Sequence, residues 1–276
     1  MLASEPTILA LDFDGVLCDG LIEYFQTAWH TYCQIWSPSQ PAPPDELAPV
    51  FYRLRPVVET GWEMPVLLRA ILLGTPETEI LQNWPAIAKH YLVEDKLEAA
   101  DIAAKLDQVR DQWIATDSGS WLACHRFYPG VIKRLQQLFP DPAQHSSATQ
   151  SFAPATPSVL PVIVTTKEGR FVRQLLLQQG VELSESQVFG KECQRPKSDI
   201  LRELLEGDGS PHCLWFIEDR LKTLQAVQKQ TDLHAVRLYL ADWGYNTPVE
   251  REVACQDPQI QLLSLTQFSQ DFSAWP

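Results

Sequence analysis

Two carboxylates separated by one residue close an apolar run: Ile8-Leu9-Ala10-Leu11 leads into Asp12-Phe13-Asp14, and Gly15 follows. Carboxylates at the end of a buried strand repel each other and resist desolvation, so the arrangement opposes stability. It makes sense if a metal ion sits between them and one of them does chemistry. Residues two apart in an extended chain point to the same side, and Gly15 lets the backbone turn sharply. One carboxylate can attack phosphorus, and the other can protonate the leaving oxygen and later activate water. The ordinary alternative is a strand followed by an Asp-Gly turn.

Three further polar groups follow the same rule of placement. Thr165-Thr166-Lys167 ends the run Val159–Thr165. A hydroxyl and backbone amides there can hold a phosphate, and a plain threonine helix cap is the competing account. Lys197 follows Pro196 and opens a helix with Ser198-Asp199. A lysine there can neutralise both a nucleophilic carboxylate and a phosphate. Lys191, after Gly190, competes for that role, and solvent exposure is the usual fate of a lysine. Glu218-Asp219 follows Leu214-Trp215-Phe216-Ile217 and is a second acidic pair behind an apolar strand. Mg²⁺ takes hard oxygen ligands, commonly one or two carboxylates plus substrate phosphate. A helix dipole accounts for one acidic pair, but less well for two pairs at two strand ends.

These groups need elements to position them. Strands are expected at Ile8–Leu11, Val159–Thr165, Cys213–Ile217 and Ala235–Leu240, the last three short, apolar and suited to burial on both faces. Helical spacing marks Val131–Phe139, Gly169–Gln179 and Ser198–Leu205, with Gly180 and Gly207 as stops. Alternation of strand and helix argues an α/β fold with a doubly wound, Rossmann-like parallel sheet. Ligands bind such sheets at the carboxyl ends of the strands. Residues 21–126 lack strand alternation. They contain helical stretches such as Ala99–Trp113, separated by proline clusters and by turns at Gly61 and Gly74. We read them as a helical domain inserted after the first strand. The core then comprises 1–20 and 127–276, and a Ser-, Ala-, Gln- and Pro-rich stretch at 140–158 reads as a flexible surface insert.

Composition narrows the function classes. The 276 residues are 45% hydrophobic and carry a net charge of -13, which argues against a general nucleic-acid or anionic-membrane surface. Six cysteines without a CxxC spacing fit reduced thiols. Asp12 interrupts the only N-terminal apolar run, so no signal peptide is expected, nor any membrane span, and the expected location is cytoplasmic.

The four motifs, in this order and on these elements, resemble the haloacid dehalogenase superfamily, specifically its aspartate-nucleophile phosphatases. The likeness covers about residues 6–20 and 127–248. It implies Asp12 as nucleophile, Asp14 as general acid/base, Thr165 and Thr166 with Lys197 at the substrate phosphate, and Mg²⁺ as cofactor. Its metal-ligand candidates are Asp12, Asp14, Glu218 and Asp219, with Asp219 the likelier of the last pair. The chain departs from the family pattern at Thr223, where many members carry a further Asp, and at Glu218, where they carry Gly. Phe127-Tyr128-Pro129-Gly130 and Trp243-Gly244-Tyr245 resemble phosphoglycolate-phosphatase-like members, and residues around Trp243 are candidates to close the site. The insertion falls where the family places a helical C1 cap, with Asp19-Gly20 near the hinge. Arg53, Arg55, Trp62, Glu63 and Arg69 are cap candidates to face the site, each more simply read as helix surface or core. Cys18 reads as a buried structural thiol. The expected function is hydrolysis of a small phosphorylated metabolite through an aspartyl-phosphate. The alternatives are a sugar-phosphate phosphomutase and a non-catalytic binding or regulatory module.

Overall fold

A computed structural model describes residues 5–139, 159–207 and 212–276. The insert expected at 140–158 lies outside the described residues. The chain forms two compact units, one of residues 1–19 with 127–276 and one of residues 20–126.

The first unit is α/β. Its six-stranded sheet has the order β5-β4-β1-β6-β7-β8, with every neighbouring pair parallel. The strands are β1 (Ile8–Leu11), β4 (Leu160–Val164), β5 (Val188–Phe189), β6 (Leu214–Glu218), β7 (Arg237–Ala241) and β8 (Ile260–Leu263). Two short strands, β2 (Cys18–Asp19) and β3 (Arg126–Phe127), lie outside this sheet. Strand β1 sits at the centre, with Leu11 in register with Ile163 of β4 and Ile217 of β6. That position explains its unbroken apolar sequence. Both faces are covered, so all four residues are buried and no polar alternation is needed.

Alternate side chains sort to the two faces. Ile8, Ala10, Val162, Val164, Leu214 and Phe216 share a core with Ile200 and Leu201 of α8 (Lys197–Glu206) and with Leu221, Leu224 and Val227 of α9 (Leu221–Gln228). The opposite parity carries Trp215 and Tyr239, whose rings lie 5.6 and 5.4 Å from that of Trp275. The remaining helices of this unit are α6 (Val131–Leu138), α7 (Gly169–Leu177), α10 (Pro248–Gln256) and α11 (Leu265–Phe268). Gly180 takes the left-handed φ of 73° that lets the chain leave α7.

Two strands escape sequence reading, β5 and β8. Both are sheet edges with one neighbour each. β5 has only two residues, and β8 is only partly buried, so neither carries the long apolar signature of a central strand.

The second unit is helical: α1 (Leu21–Trp36), α2 (Leu47–Leu54), α3 (Glu63–Leu72), α4 (Glu77–Glu94) and α5 (Ala99–Leu122). Its interior holds charge. The fully buried Glu23 accepts from Arg110 Nε at 2.8 Å and from the Thr27 hydroxyl at 2.7 Å. Desolvating such a pair costs several kcal/mol per ion, which the mutual attraction and the added hydrogen bond offset. The helix expected at Ala99–Trp113 runs on to Leu122 through a break at Asp117, where φ is −152°. Among the described residues no helix is long and apolar enough to cross a membrane.

Candidate active site

Parallel strands place their carboxyl ends on one edge, and the sequence-predicted groups of the α/β unit follow those ends. Asp12 follows β1 and donates its N–H to the Ile217 carbonyl of β6, while Thr165 follows β4 and donates to the Phe189 carbonyl of β5. Glu218 ends β6 and Asp219 succeeds it. Beyond Asp12 the chain curls tightly. Leu17 and Cys18 both donate to the Phe13 carbonyl, Gly15 donates to the Cys18 carbonyl, and Gly15 holds φ at 83°.

Asp12, Glu218 and Asp219 are buried and bring one carboxylate oxygen each within 4.8 Å of one another. Lys197, the first residue of α8, reaches into this group. Its ammonium lies 2.9 Å from Asp12 Oδ1 and 2.7 Å from Glu218 Oε2. Lys191 is exposed on a separate short turn, so the fold puts Lys197 rather than Lys191 against Asp12.

One lysine among three buried carboxylates leaves an excess of negative charge. Burial, with the Glu218 charge beside it, pushes Asp12 up to about 7 against the attraction of Lys197. Burial, with the Asp12 charge next, pushes Asp219 up to about 6. Glu218 is raised by burial as well. Burial opposes the Lys197 charge, but Asp12 and Glu218 more than offset it and hold its pKa above the ordinary value. The cluster is therefore short of positive charge, and all its donors are hard oxygens, the set that Mg²⁺ prefers.

Glu218 is partly committed. Its Oε1 accepts the N–H groups of Asp219 and Arg220, at 3.1 and 3.0 Å, and its Oε2 faces Lys197. Asp219 sits in a cradle. Its Oδ2 accepts the Tyr245 N–H at 2.7 Å, and its carbonyl accepts from Asn246 Nδ2 at 3.0 Å. A methyl group on Gly15 or on Gly244 would overlap the Asp219 side chain, which is why both positions are glycine.

Asp14 faces a different partner. Lys167 Nζ lies 3.2 and 3.4 Å from its two oxygens, and the Asp14 side chain is outside the three-carboxylate group. Sequence reading quoted Lys167 only as part of a motif and assigned it no role. Its signal was the Thr-Thr-Lys run, but which carboxylate it would meet depended on two loops. Thr165 is buried and its Oγ1 accepts the Lys167 N–H at 3.2 Å. It caps this turn rather than helix α7, whose first flanking residue is Glu168. Thr166 is exposed. Thr223 lies within α9, one turn past Asp219.

The loop after β7 carries the Trp243-Gly244-Tyr245 run singled out in the sequence. Trp243 Nε1 donates to the Val16 carbonyl at 3.0 Å, and Tyr245 Oη donates to Asp19 Oδ1 at 2.9 Å. Cys18 is fully buried and has no disulfide partner. In the helical unit the named cap candidates are largely engaged internally. Arg53 pairs with Glu77, Arg69 pairs with Asp95, and Glu63 accepts the Trp84 indole N–H.

No family model matches this chain, and no curated protein does. Solved structures do. A haloacid dehalogenase-like family hydrolase from Streptococcus pneumoniae aligns over 93% of each chain, at 15% identity and a TM-score of 0.53. The fold is that of haloacid dehalogenase-like hydrolases. A predicted phosphoglycolate phosphatase from Haemophilus somnus shares the haloacid dehalogenase-like fold over 93% of each chain, at 15% identity and a TM-score of 0.53. A predicted phosphatase from Clostridium acetobutylicum shares it over 96% of this chain and 97% of its own, at 12% identity and a TM-score of 0.53. In this fold the central strand β1 delivers Asp12, and the neighbouring β6 delivers Asp219.

Proposed function

We propose that this protein is a Mg²⁺-dependent phosphatase that hydrolyses a small phosphomonoester through an aspartyl-phosphate. The observation that carries the reading is Asp12, a buried carboxylate at the end of the central strand, held by Lys197 and grouped with Glu218 and Asp219. The names of the fold neighbours, among them phosphatases, support the same reaction class.

Mg²⁺, held by Asp12 and Asp219 with Glu218 as a further candidate, would supply positive charge to the phosphoryl oxygens. The remaining work belongs to side chains. Asp12 attacks phosphorus, and the leaving alcohol takes its proton from Asp14. Lys167 keeps Asp14 in one orientation during that transfer. Asp14 then accepts a proton from the water that cleaves the aspartyl-phosphate, which restores Asp12. Lys197 and the Thr165 turn offset charge on the transferring group. Residues 21–126 act as the cap that selects the substrate, and the protein works in the cytoplasm on a small phosphorylated metabolite.

Replacing Asp12 by Asn tests the reading. Hydrolysis of p-nitrophenyl phosphate with Mg²⁺ is expected to vanish while the circular dichroism spectrum is retained. Undiminished turnover in that variant would falsify the mechanism. The engagement of Glu218 with Lys197, together with Thr223, favours one second reading, a binding module without turnover. Wild-type protein that binds Mg²⁺ yet hydrolyses no ester in a broad phosphate panel would establish it.

A further inference from the structure

Tyr245 meets the candidate metal ligand and both connections of the α/β unit at once. Its backbone N–H donates to Asp219 Oδ2 at 2.7 Å. Its carbonyl accepts from Arg220 Nη1, next to Asp219 in the chain. Its ring edge packs against Gly15 in the turn that follows Asp12 and Asp14. Its phenol donates at 2.9 Å to Asp19, the last residue of the unit before the chain departs at Gly20. Its side chain also meets Tyr128, the second residue after the chain returns at Phe127. Tyr128 also donates its N–H to the Leu17 carbonyl at 3.1 Å, so the departing and returning segments run side by side here.

Tyr245 is 6% exposed and its neighbours are fixed. Asn246 Nδ2 bridges the carbonyls of Asp219 and Ala241, at 3.0 and 2.8 Å, and Gly244 presses on Asp219. A buried residue whose backbone N–H holds Asp219 and whose phenol holds Asp19 cannot shift without disturbing both.

We infer that Tyr245 is a positioning residue that couples divalent-cation binding at Asp219 to the order of the two connections, 17–20 and 126–129. The inference rests on the proposed metal site. Coupling of this kind is reciprocal. The cation orders the connections, and a loosened connection weakens the cation.

The test is Tyr245→Phe, which removes the hydroxyl and keeps the ring and the backbone donor. Tyr239→Phe is the control, because that hydroxyl donates to the Pro276 carbonyl at 3.4 Å rather than to Asp19. Calorimetric titration with MgCl₂ and amide hydrogen exchange with and without Mg²⁺ give the two readouts. In the wild type, Mg²⁺ is expected to slow exchange across 17–20 and 126–129. In Tyr245→Phe that protection is lost and Mg²⁺ binds roughly three- to tenfold more weakly, the scale of one lost hydrogen bond. Tyr239→Phe matches the wild type in both. A Tyr245→Phe protein with wild-type Mg²⁺ affinity and wild-type protection overturns the coupling but leaves the metal site standing. Absence of any Mg²⁺ binding by the wild type overturns both. A merely structural role would raise exchange equally with and without Mg²⁺, which also overturns the coupling.

Discussion

Lys167 grips Asp14 with contacts to both carboxylate oxygens, across 153 positions of sequence. The pair separates the two acids of the Asp-x-Asp motif. Asp12 belongs to the buried acidic group and Asp14 to a lysine on the neighbouring strand's loop. Lys167→Met is expected to lower kcat by about 10- to 100-fold, with little change in KM, because a misoriented acid fails in proton transfer rather than in binding. Lys167→Arg should recover part of the loss. Steady-state kinetics with p-nitrophenyl phosphate decides this, and an unchanged kcat in Lys167→Met would remove Lys167 from the mechanism.

Asp12 makes stability depend on pH. Its folded pKa of about 7 lies above the ordinary carboxylate value of 3.8, so the unfolded chain releases this proton first as pH rises. Metal-free protein is therefore most favoured, as far as Asp12 is concerned, below about pH 4, and it loses stability through the window up to about pH 7. Asp12→Asn lacks this titration and should be the more stable protein at pH 8 in EDTA, by up to about 4 kcal/mol. Urea unfolding at pH 5 and pH 8 measures the difference. A wild type whose Asp12-dependent stability rises over the same window would contradict the burial argument.

Lys197 is the cation nearest two buried carboxylates. Lys197→Met leaves Asp12 and Glu218 without it and should cost roughly 3–5 kcal/mol. The double variant Lys197→Met with Glu218→Gln removes one of the stranded charges and should recover part of that loss without restoring turnover. Chemical denaturation of the single and double variants provides the comparison. If the double variant is the less stable of the two, the charge-stranding account is wrong.

Gly15 takes a φ of 83° and has no room for a Cβ beside Asp219. Gly15→Ala is expected to cost about 1–3 kcal/mol from backbone strain and to displace Asp219. Mn²⁺ binding, followed by electron paramagnetic resonance as a surrogate for Mg²⁺, should weaken in step. Retained Mn²⁺ affinity would show that the Asp219 carboxylate has other ways to settle.

Much of the α/β unit was legible because a central parallel strand has to be apolar throughout. Ile8–Leu11 and Leu214–Ile217 announced themselves in that way, and the acids that end them converge because parallel strands finish on one edge. Lys197 was legible as a candidate to neutralise a carboxylate, with Lys191 as its competitor, and the fold chose between them. Its contact with Asp12 depends on the left-handed turn at Gln194 and on the start of α8 at Lys197. Strands β5 and β8 were hidden because an edge strand needs neither length nor full burial. The bond from the Tyr245 N–H to Asp219 was invisible for a different reason. A backbone donor leaves no mark in a sequence, since every residue but proline carries one.

The central place of β1 also bears on how the chain is made. Its four residues are completely enclosed by neighbours that begin at Leu160 and Leu214. On the ribosome this oily segment emerges early and waits while the entire helical stretch and more is synthesised. The helical unit, residues 20–126, is compact by itself and is free to form during that wait. The sheet must instead close around a strand delivered long before its partners, a long-range pairing that slows folding. Nascent chains stalled before residue 214 should therefore expose Ile8–Leu11 and bind chaperones that recognise short apolar segments.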